Sequence, residues 1–169
     1  MKRVFLAFLF ILSPNAWNLV AVDCGPKEVA AADPFSGTRQ CLVKAEKFAI
    51  TVVSESNCGP CHLLLKELRK LIPFEFPNLK IRILWTDPDR LTCMSSAMRF
   101  SSVGENFCLS EAEAKARWQI TGTPTVFWQE GSNLRQAQGV IERNAWRENL
   151  KKLSKGLSRA KRVVPAPLK

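Results

Sequence analysis

The segment SESNCGPCHLLLKELRKL, residues 54–71, places two cysteines immediately before a run with helical periodicity. Five aliphatic residues recur at helical spacing and form one apolar face: Leu64, Leu65, Leu68, Leu71 and Ile72. Pro60 suits the first turn of a helix, where its missing N–H costs no hydrogen bond. Pro73 should end the helix, because the residue before a proline disfavours helical backbone angles. The segment therefore predicts a helix from Pro60 to about Ile72, with two cysteines at its amino end.

The flanking segments predict an α/β architecture. KFAITVVS (47–54) is a β-branched run of strand length, and NLKIRILWTD (78–87) alternates as a second strand. Residues 88–118 are expected to be mostly helical, and residues 123–140 predict two strands around a turn at Glu130 to Asn133. A last helix should start near Glu142. In this order the first two strands would be parallel, and the last two would form a hairpin.

The ends of the 169-residue chain differ from its centre. Lys2 and Arg3 precede nine apolar residues, which predicts a signal peptide over residues 1–21, since nine residues are too few to span a bilayer. An uncleaved anchor over residues 4–22 is the alternative. Residues 22–44 are rich in turn residues, and we expect an N-terminal extension that is a loop or short helix held by its own cysteines.

The carboxyl end carries much of the net charge of +10. Residues 151–169 contain seven basic residues and no acidic one, and we expect residues 155–169 to be a solvated basic tail. An anionic partner for this tail, such as a membrane surface, nucleic acid or an acidic protein, is the alternative interpretation.

Export changes the interpretation of the cysteines, because an even number in an exported chain favours disulfides. Six cysteines allow fifteen connectivities. Proximity in the sequence favours the pairs Cys24–Cys41, Cys58–Cys61 and Cys93–Cys108 without excluding the others. The first and third pairs would be structural bridges, which stabilise a fold by restricting the unfolded chain. A redox-active Cys93–Cys108 couple is the alternative.

Three features make residues 45–154 resemble the thioredoxin fold. They are the Cys-Gly-Pro-Cys motif between a strand and a helix, the TGTPT segment (121–125) that opens a strand, and Gly139 before the final helix. The neighbourhood of the motif is most similar to the catalytic domain of the periplasmic DsbC/DsbG disulfide isomerases. That resemblance implies a helical insertion over about residues 88–118 that holds a second cysteine pair, here Cys93 and Cys108.

The same resemblance implies roles for individual residues. Glu55 and His62 would tune the reactivity of the cysteines, while Thr123 would offer its backbone to an extended substrate segment. Pro124 would be in the cis form. Two departures stand beside these matches: Val52 occupies the position of the buried aspartate of thioredoxin, and the short N-terminal extension leaves no room for the dimerisation domain of the isomerases. We therefore expect a monomer.

The chemistry of a redox couple fits the position of the two cysteines. A thiolate is the attacking species in disulfide exchange, and a helix amino terminus lowers the pKa of a cysteine beside it. Cys58 would attack as the thiolate, and Cys61, one helical turn further, would resolve the mixed disulfide. The resemblance thus implies a thiol:disulfide oxidoreductase of the periplasm, acting as reductase or isomerase on protein substrates that carry disulfides or thiols. A membrane redox partner would return the two cysteines to the redox state in which they can react again.

Other interpretations of the motif remain open in the sequence. Net dithiol oxidation is one, because the direction of exchange depends on the reduction potential. Cys58-x-x-Cys61-His62 also matches the attachment signature of c-type haem, with Met94 or Met98 as axial ligand. A redox-inert docking module of an envelope assembly is a third. We expect neither a metal nor a cofactor, since the chain has a single histidine and no second closely spaced cysteine pair.

Overall fold

The computed structural model describes residues 22–46, 49–139 and 142–161. The predicted signal peptide (1–21) and residues 162–169 of the predicted tail lie outside the described residues. The strands are β1 (Glu28–Ala32), β2 (Arg39–Val43), β3 (Ala49–Ser54), β4 (Lys80–Trp85), β5 (Glu105–Cys108), β6 (Thr125–Glu130) and β7 (Asn133–Gln138). The helices are α1 (Gly59–Glu75), α2 (Arg90–Arg99), α3 (Glu111–Trp118) and α4 (Arg143–Lys161). The seven strands form one mixed sheet in the order β2-β1-β5-β4-β3-β6-β7.

The centre of the sheet follows the predicted pattern. Strands β3 and β4 are parallel, with their register running from Ala49 opposite Lys80 to Ser54 opposite Trp85. Helix α1 provides the crossover that a parallel connection requires. Strands β6 and β7 form an antiparallel hairpin, and β6 pairs antiparallel with β3. The predicted parallel pair and the predicted hairpin are therefore both confirmed.

Helices cover both faces of the sheet. On one face, Leu65 and Leu68 of α1 and Leu150 of α4 are fully buried in a cluster with Ile83 of β4. Burying each such side chain contributes about 1.5–3 kcal/mol. On the other face, Trp118 of α3 packs on buried side chains that include Phe127, whose ring it meets edge-on at 5.6 Å between centroids. This two-sided burial explains why all six residues of β3 are buried.

The N-terminal extension is a strand hairpin, so the predicted loop or short helix is wrong. Its strands β1 and β2 pair antiparallel over all five residues, and Ala32 joins the hairpin to β5 opposite Cys108. Asp33 stabilises the turn by accepting hydrogen bonds from the backbone N–H of Phe35 (3.0 Å) and of Ser36 (2.7 Å). The turn residues of this segment therefore form the turn that connects two strands of a hairpin.

Two further boundaries differ from the prediction. Helix α1 continues past Pro73 to Glu75, because a proline so near the end removes only one N–H, and the N–H of Phe76 still donates to the carbonyl of Ile72 at 3.0 Å. The stretch 88–118 also contains β5 between its two helices. The side chain of Asn106 in β5 accepts a hydrogen bond from Trp85 Nε1 at 2.8 Å, which links β5 to β4.

The last helix reaches Lys161 and so enters the stretch that the sequence predicted as a tail from residue 155. Among the described helices, none combines the length and the apolar character that crossing a membrane would require.

Candidate active site

The cysteine pair lies where β3 passes into α1. Cys58 is the N-cap residue of α1, and its Sγ accepts a hydrogen bond from the backbone N–H of Cys61 at 3.1 Å. The two cysteines form a disulfide in this structure. Cys58 is partly exposed, whereas Cys61 is fully buried. Solvent therefore reaches Cys58 and not Cys61.

The amino end of α1 favours a negative charge on Cys58. Unpaired N–H groups and the positive end of the helix dipole meet there, and both stabilise an anion. The N–H of Cys61 already points at the sulfur that would carry that charge once the disulfide is reduced. In general, a helix amino terminus is a position that favours the thiolate form of a cysteine.

Thr123 and Pro124 lie at the same edge of the sheet as the cysteines. The peptide bond between them is cis. They directly precede β6, whose first residue, Thr125, pairs with Val53 at the end of β3. The segment is held from both sides: the hydroxyl of Thr125 donates to the carbonyl of Gly122 at 2.6 Å, and the N–H of Gly139 donates to the carbonyl of Pro124 at 2.8 Å.

A buried carboxylate supports the loop that carries Cys58, and the sequence analysis missed it. Asp87 follows β4 and is 5% exposed, and its Oδ1 accepts a hydrogen bond from the backbone N–H of Ser56 at 2.8 Å. Its Oδ2 is buried without a hydrogen-bond partner among the described residues. An aspartate two residues after an apolar strand was the available signal, because the carboxyl ends of the parallel strands β3 and β4 lie at the same end of the sheet.

His62 follows Cys61 and packs against the ring of Phe100, with 5.3 Å between ring centroids. Burial lowers the pKa of His62 below its usual 6.5, and the positive charges of Arg99 and Lys66 lower it further, while Asp87 acts in the opposite direction. These effects favour the neutral form of the imidazole, which carries no positive charge beside Cys58.

Glu55, the other residue predicted to tune the couple, lies on the α3 side of the loop. Its backbone carbonyl accepts a hydrogen bond from the N–H of Cys58 at 3.3 Å. The pKa of Lys115 on α3 is raised mainly by its ion pair with Glu111 and additionally by the charge of Glu55. Glu55 thus shapes the loop through its backbone, while its side chain interacts electrostatically with α3.

The other four cysteines form two disulfides, Cys24–Cys41 and Cys93–Cys108, which is the pairing that proximity favoured. Cys93 and Cys108 are 1% and 2% exposed, so solvent hardly reaches that bond. In the described part of the chain, one group has ligand atoms close enough for a metal, namely Cys24, Glu28 and Cys41. Its sulfurs are bonded to each other, so it lacks the thiolates that a metal would need.

Known proteins share this architecture at low sequence identity. No protein-family model matches the chain, and no curated protein matches its sequence. A secreted Mycobacterium tuberculosis disulfide oxidoreductase homologous to E. coli DsbE superposes with a TM-score of 0.59 at 12% identity, covering 77% of this chain and 97% of that one. An uncharacterized thioredoxin-like protein from Porphyromonas gingivalis superposes with a TM-score of 0.60 at 16% identity, covering 75% of this chain and 90% of that one.

A thio-disulfide isomerase from Thermus thermophilus gives a TM-score of 0.56 at 18% identity, over 75% of this chain and 92% of that one. None of these three is named as DsbC or DsbG, so the narrower resemblance rests on the sequence motifs alone. The shared architecture confirms the predicted fold class. The chain has the α/β thioredoxin fold.

Proposed function

We propose that this protein is a thiol:disulfide oxidoreductase that exchanges disulfides with protein substrates through Cys58 and Cys61. One observation supports this more than any other. A partly exposed sulfur caps the amino end of α1, while its partner sulfur is buried one helical turn away and already bonded to it. That asymmetry suits one attacking and one resolving thiol.

The reaction balances without a cofactor. In the reductive direction, the Cys58 thiolate attacks one sulfur of a substrate disulfide, the substrate S–S bond breaks, and the second substrate sulfur leaves as a thiolate. Cys61 then gives its proton to solvent and attacks Cys58 Sγ. The mixed disulfide breaks, the two substrate sulfurs leave as thiolates that take up protons from solvent, and the protein ends in the Cys58–Cys61 disulfide seen here.

Two neighbouring groups would position the partners of this exchange. Asp87 holds the loop before Cys58 through the N–H of Ser56. Thr123, at the same sheet edge, would offer its backbone to an extended substrate segment, as the family resemblance implies. Hydrogen bonds between the two backbones give affinity that does not depend on which side chains the substrate carries.

The compartment and direction are also part of the proposal. Three disulfides in one chain suit an oxidising compartment, and together with the predicted signal peptide they favour the periplasm. We propose a monomer that acts as a reductase or isomerase. A membrane protein with a dithiol would return Cys58 and Cys61 to the reduced form after each net reduction.

Insulin reduction in the presence of dithiothreitol tests the proposal. The wild type should accelerate precipitation of the insulin B chain, and Cys58→Ser should abolish the acceleration. In a separate reaction without dithiothreitol, pre-reduced Cys61→Ser should instead accumulate a mixed disulfide with the substrate, visible on a non-reducing gel, because no second thiol resolves it. The proposal fails if the wild type is inactive, or if Cys58→Ser is as active as the wild type.

A further inference from the structure

A groove opens beside the cysteine pair, between the active-site loop and α2. Its volume is about 420 Å³, and we call it the α2 groove; its lining residues are Ser56, His62, Leu91, Thr92, Ser95, Ser96 and Arg99. Ser56 lies two residues before Cys58, and His62 directly follows Cys61. A polypeptide whose cysteine reacts with Cys58 would therefore have neighbouring side chains within reach of this groove.

The α2 groove is positive and has no acidic lining residue. Arg99 forms no ion pair with any described residue, and its guanidinium lies 5.7 Å from the ring centroid of Phe100, the ring that also packs on His62. Burial lowers the pKa of His62, the positive charges of Arg99 and Lys66 lower it further, and the negative charge of Asp87 acts in the opposite direction.

Two aspartates on the segment before α2, Asp87 and Asp89, each accept hydrogen bonds from the protein, although Asp87 Oδ2 has no partner among the described residues. Asp87 is buried beneath the loop and bonded to the N–H of Ser56. Asp89 caps α2 by accepting hydrogen bonds from the backbone N–H (2.9 Å) and the hydroxyl (2.7 Å) of Thr92. The groove thus offers the guanidinium of Arg99 and the hydroxyl groups of Ser56, Ser95 and Ser96, while the hydroxyl of Thr92 is taken by Asp89.

We propose that the α2 groove binds an acidic side chain of the substrate close to the reacting cysteine, so that the preferred substrates are acidic segments that carry disulfides. This inference rests on the proposed function and names its substrate class. A guanidinium matches a carboxylate through two parallel N–H donors, and hydroxyl groups can donate to the same oxygens. Exposed Leu91 lines the groove and adds apolar contact for a neighbouring side chain.

Matched disulfide peptides test this proposal. The peptides are identical except for Glu, Gln or Lys at the two positions on each side of the reacting cysteine. Stopped-flow fluorescence gives the second-order rate constant for each peptide with the reduced protein. The wild type should prefer the Glu peptide over the Gln peptide by roughly two- to fivefold at low salt, the size of a partly exposed ion pair, and the preference should shrink at high salt.

Variants assign the preference to the groove. Arg99→Gln should bring the Glu-to-Gln ratio close to one, and Arg99→Lys should retain part of it. Lys80→Gln removes the same charge from an exposed residue at the opposite end of β4 and should leave the ratio unchanged.

The outcomes separate the two proposals. If the wild type reduces insulin but shows no preference for the Glu peptide, the proposed binding of acidic side chains in the α2 groove is contradicted. The proposed oxidoreductase function is not affected by that result. An Arg99→Gln variant that keeps the full preference contradicts the proposed binding in the same way. If the wild type reacts with neither insulin nor any peptide, the proposed function is contradicted. The proposed role of the α2 groove, which rests on that function, is then contradicted as well.

Discussion

Removing the Cys93–Cys108 disulfide should destabilise the protein strongly and leave its thiol chemistry intact. The bond links α2 to β5 across 15 residues, and both sulfurs lie in the buried core. Closing a loop of that length restricts the unfolded chain by about 3 kcal/mol in the chain-entropy model. A domain of this size has about 5–15 kcal/mol of stability in total, so the variant should still fold.

The double variant Cys93→Ala/Cys108→Ala is the right perturbation, because it leaves no unpaired thiol and places no polar atom in the core. Urea unfolding under non-oxidising, non-reducing conditions should show a loss of about 3 kcal/mol in the free energy of unfolding. Insulin reduction at 25 °C should be unchanged. The Cys24→Ala/Cys41→Ala variant is the control, since its loop of 17 residues predicts nearly the same loss.

Two results would refute this reasoning. A loss well below 1 kcal/mol would mean that loop closure does not explain the role of the bond. A folded Cys93→Ala/Cys108→Ala variant without insulin-reducing activity would mean that the pair takes part in electron transfer, despite its burial.

Three further predictions concern α1 and the active-site loop. Leu68→Ala should lower the free energy of unfolding by about 2–5 kcal/mol in urea titrations, because the side chain is fully buried. The wild type should lose more stability than His62→Gln as the pH falls from 7.5 to 5.5, because the lowered pKa of the folded state means that the unfolded chain binds the proton first below about 6.5. Asp87→Ala should speed hydrogen exchange at the Ser56 amide by roughly tenfold or more, since that N–H loses a charged acceptor.

Each of these has an internal comparison. Leu63→Ala, on the exposed side of the same helix, should change stability by less than about 0.5 kcal/mol, and equal losses at 63 and 68 would contradict the packing. Parallel pH–stability curves for wild type and His62→Gln would show that the histidine titrates alike in both states. Asp87→Asn keeps an oxygen acceptor, so exchange at Ser56 as fast as in Asp87→Ala would argue against the hydrogen bond.

Local sequence signals were sufficient for the centre of the fold. The alternation in β4 and the aliphatic face of α1 are patterns that extend over only a few residues, and they predict which side chains are buried. The cysteine motif at the strand-to-helix junction is equally local, so the position of Cys58 at the amino end of α1 was predictable.

The side of the sheet formed by β2, β1 and β5 was not predictable, because these strands depend on distant partners. The segment of β1 contains three alanines and one valine, a composition with weak strand preference. It becomes a strand because it pairs with β2 and because Val29 and Ala31 pack with Trp118. Strand β5 has only four residues and forms because β4 supplies its parallel partner.

The candidate active site shows the same difference between local sequence signals and contacts between distant residues. The hydrogen bond from Ser56 to Asp87 joins residues 31 apart, and no local pattern encodes it. The pKa of His62 is lowered by burial and then by the charge of Arg99, which the fold brings from another helix. The sequence therefore located the cysteine pair, while the groups around it required the tertiary structure.

The amino end of α1 is expected to stabilise the thiolate of Cys58. Iodoacetamide alkylation of the Cys61→Ala variant, with the other two disulfides intact, gives the pKa of Cys58 from the pH dependence of the labelling rate. We expect a pKa clearly below the value of about 8.5 for a free cysteine, and faster labelling at pH 7 than for a cysteine in an unstructured peptide. A pKa at or above that reference would contradict it.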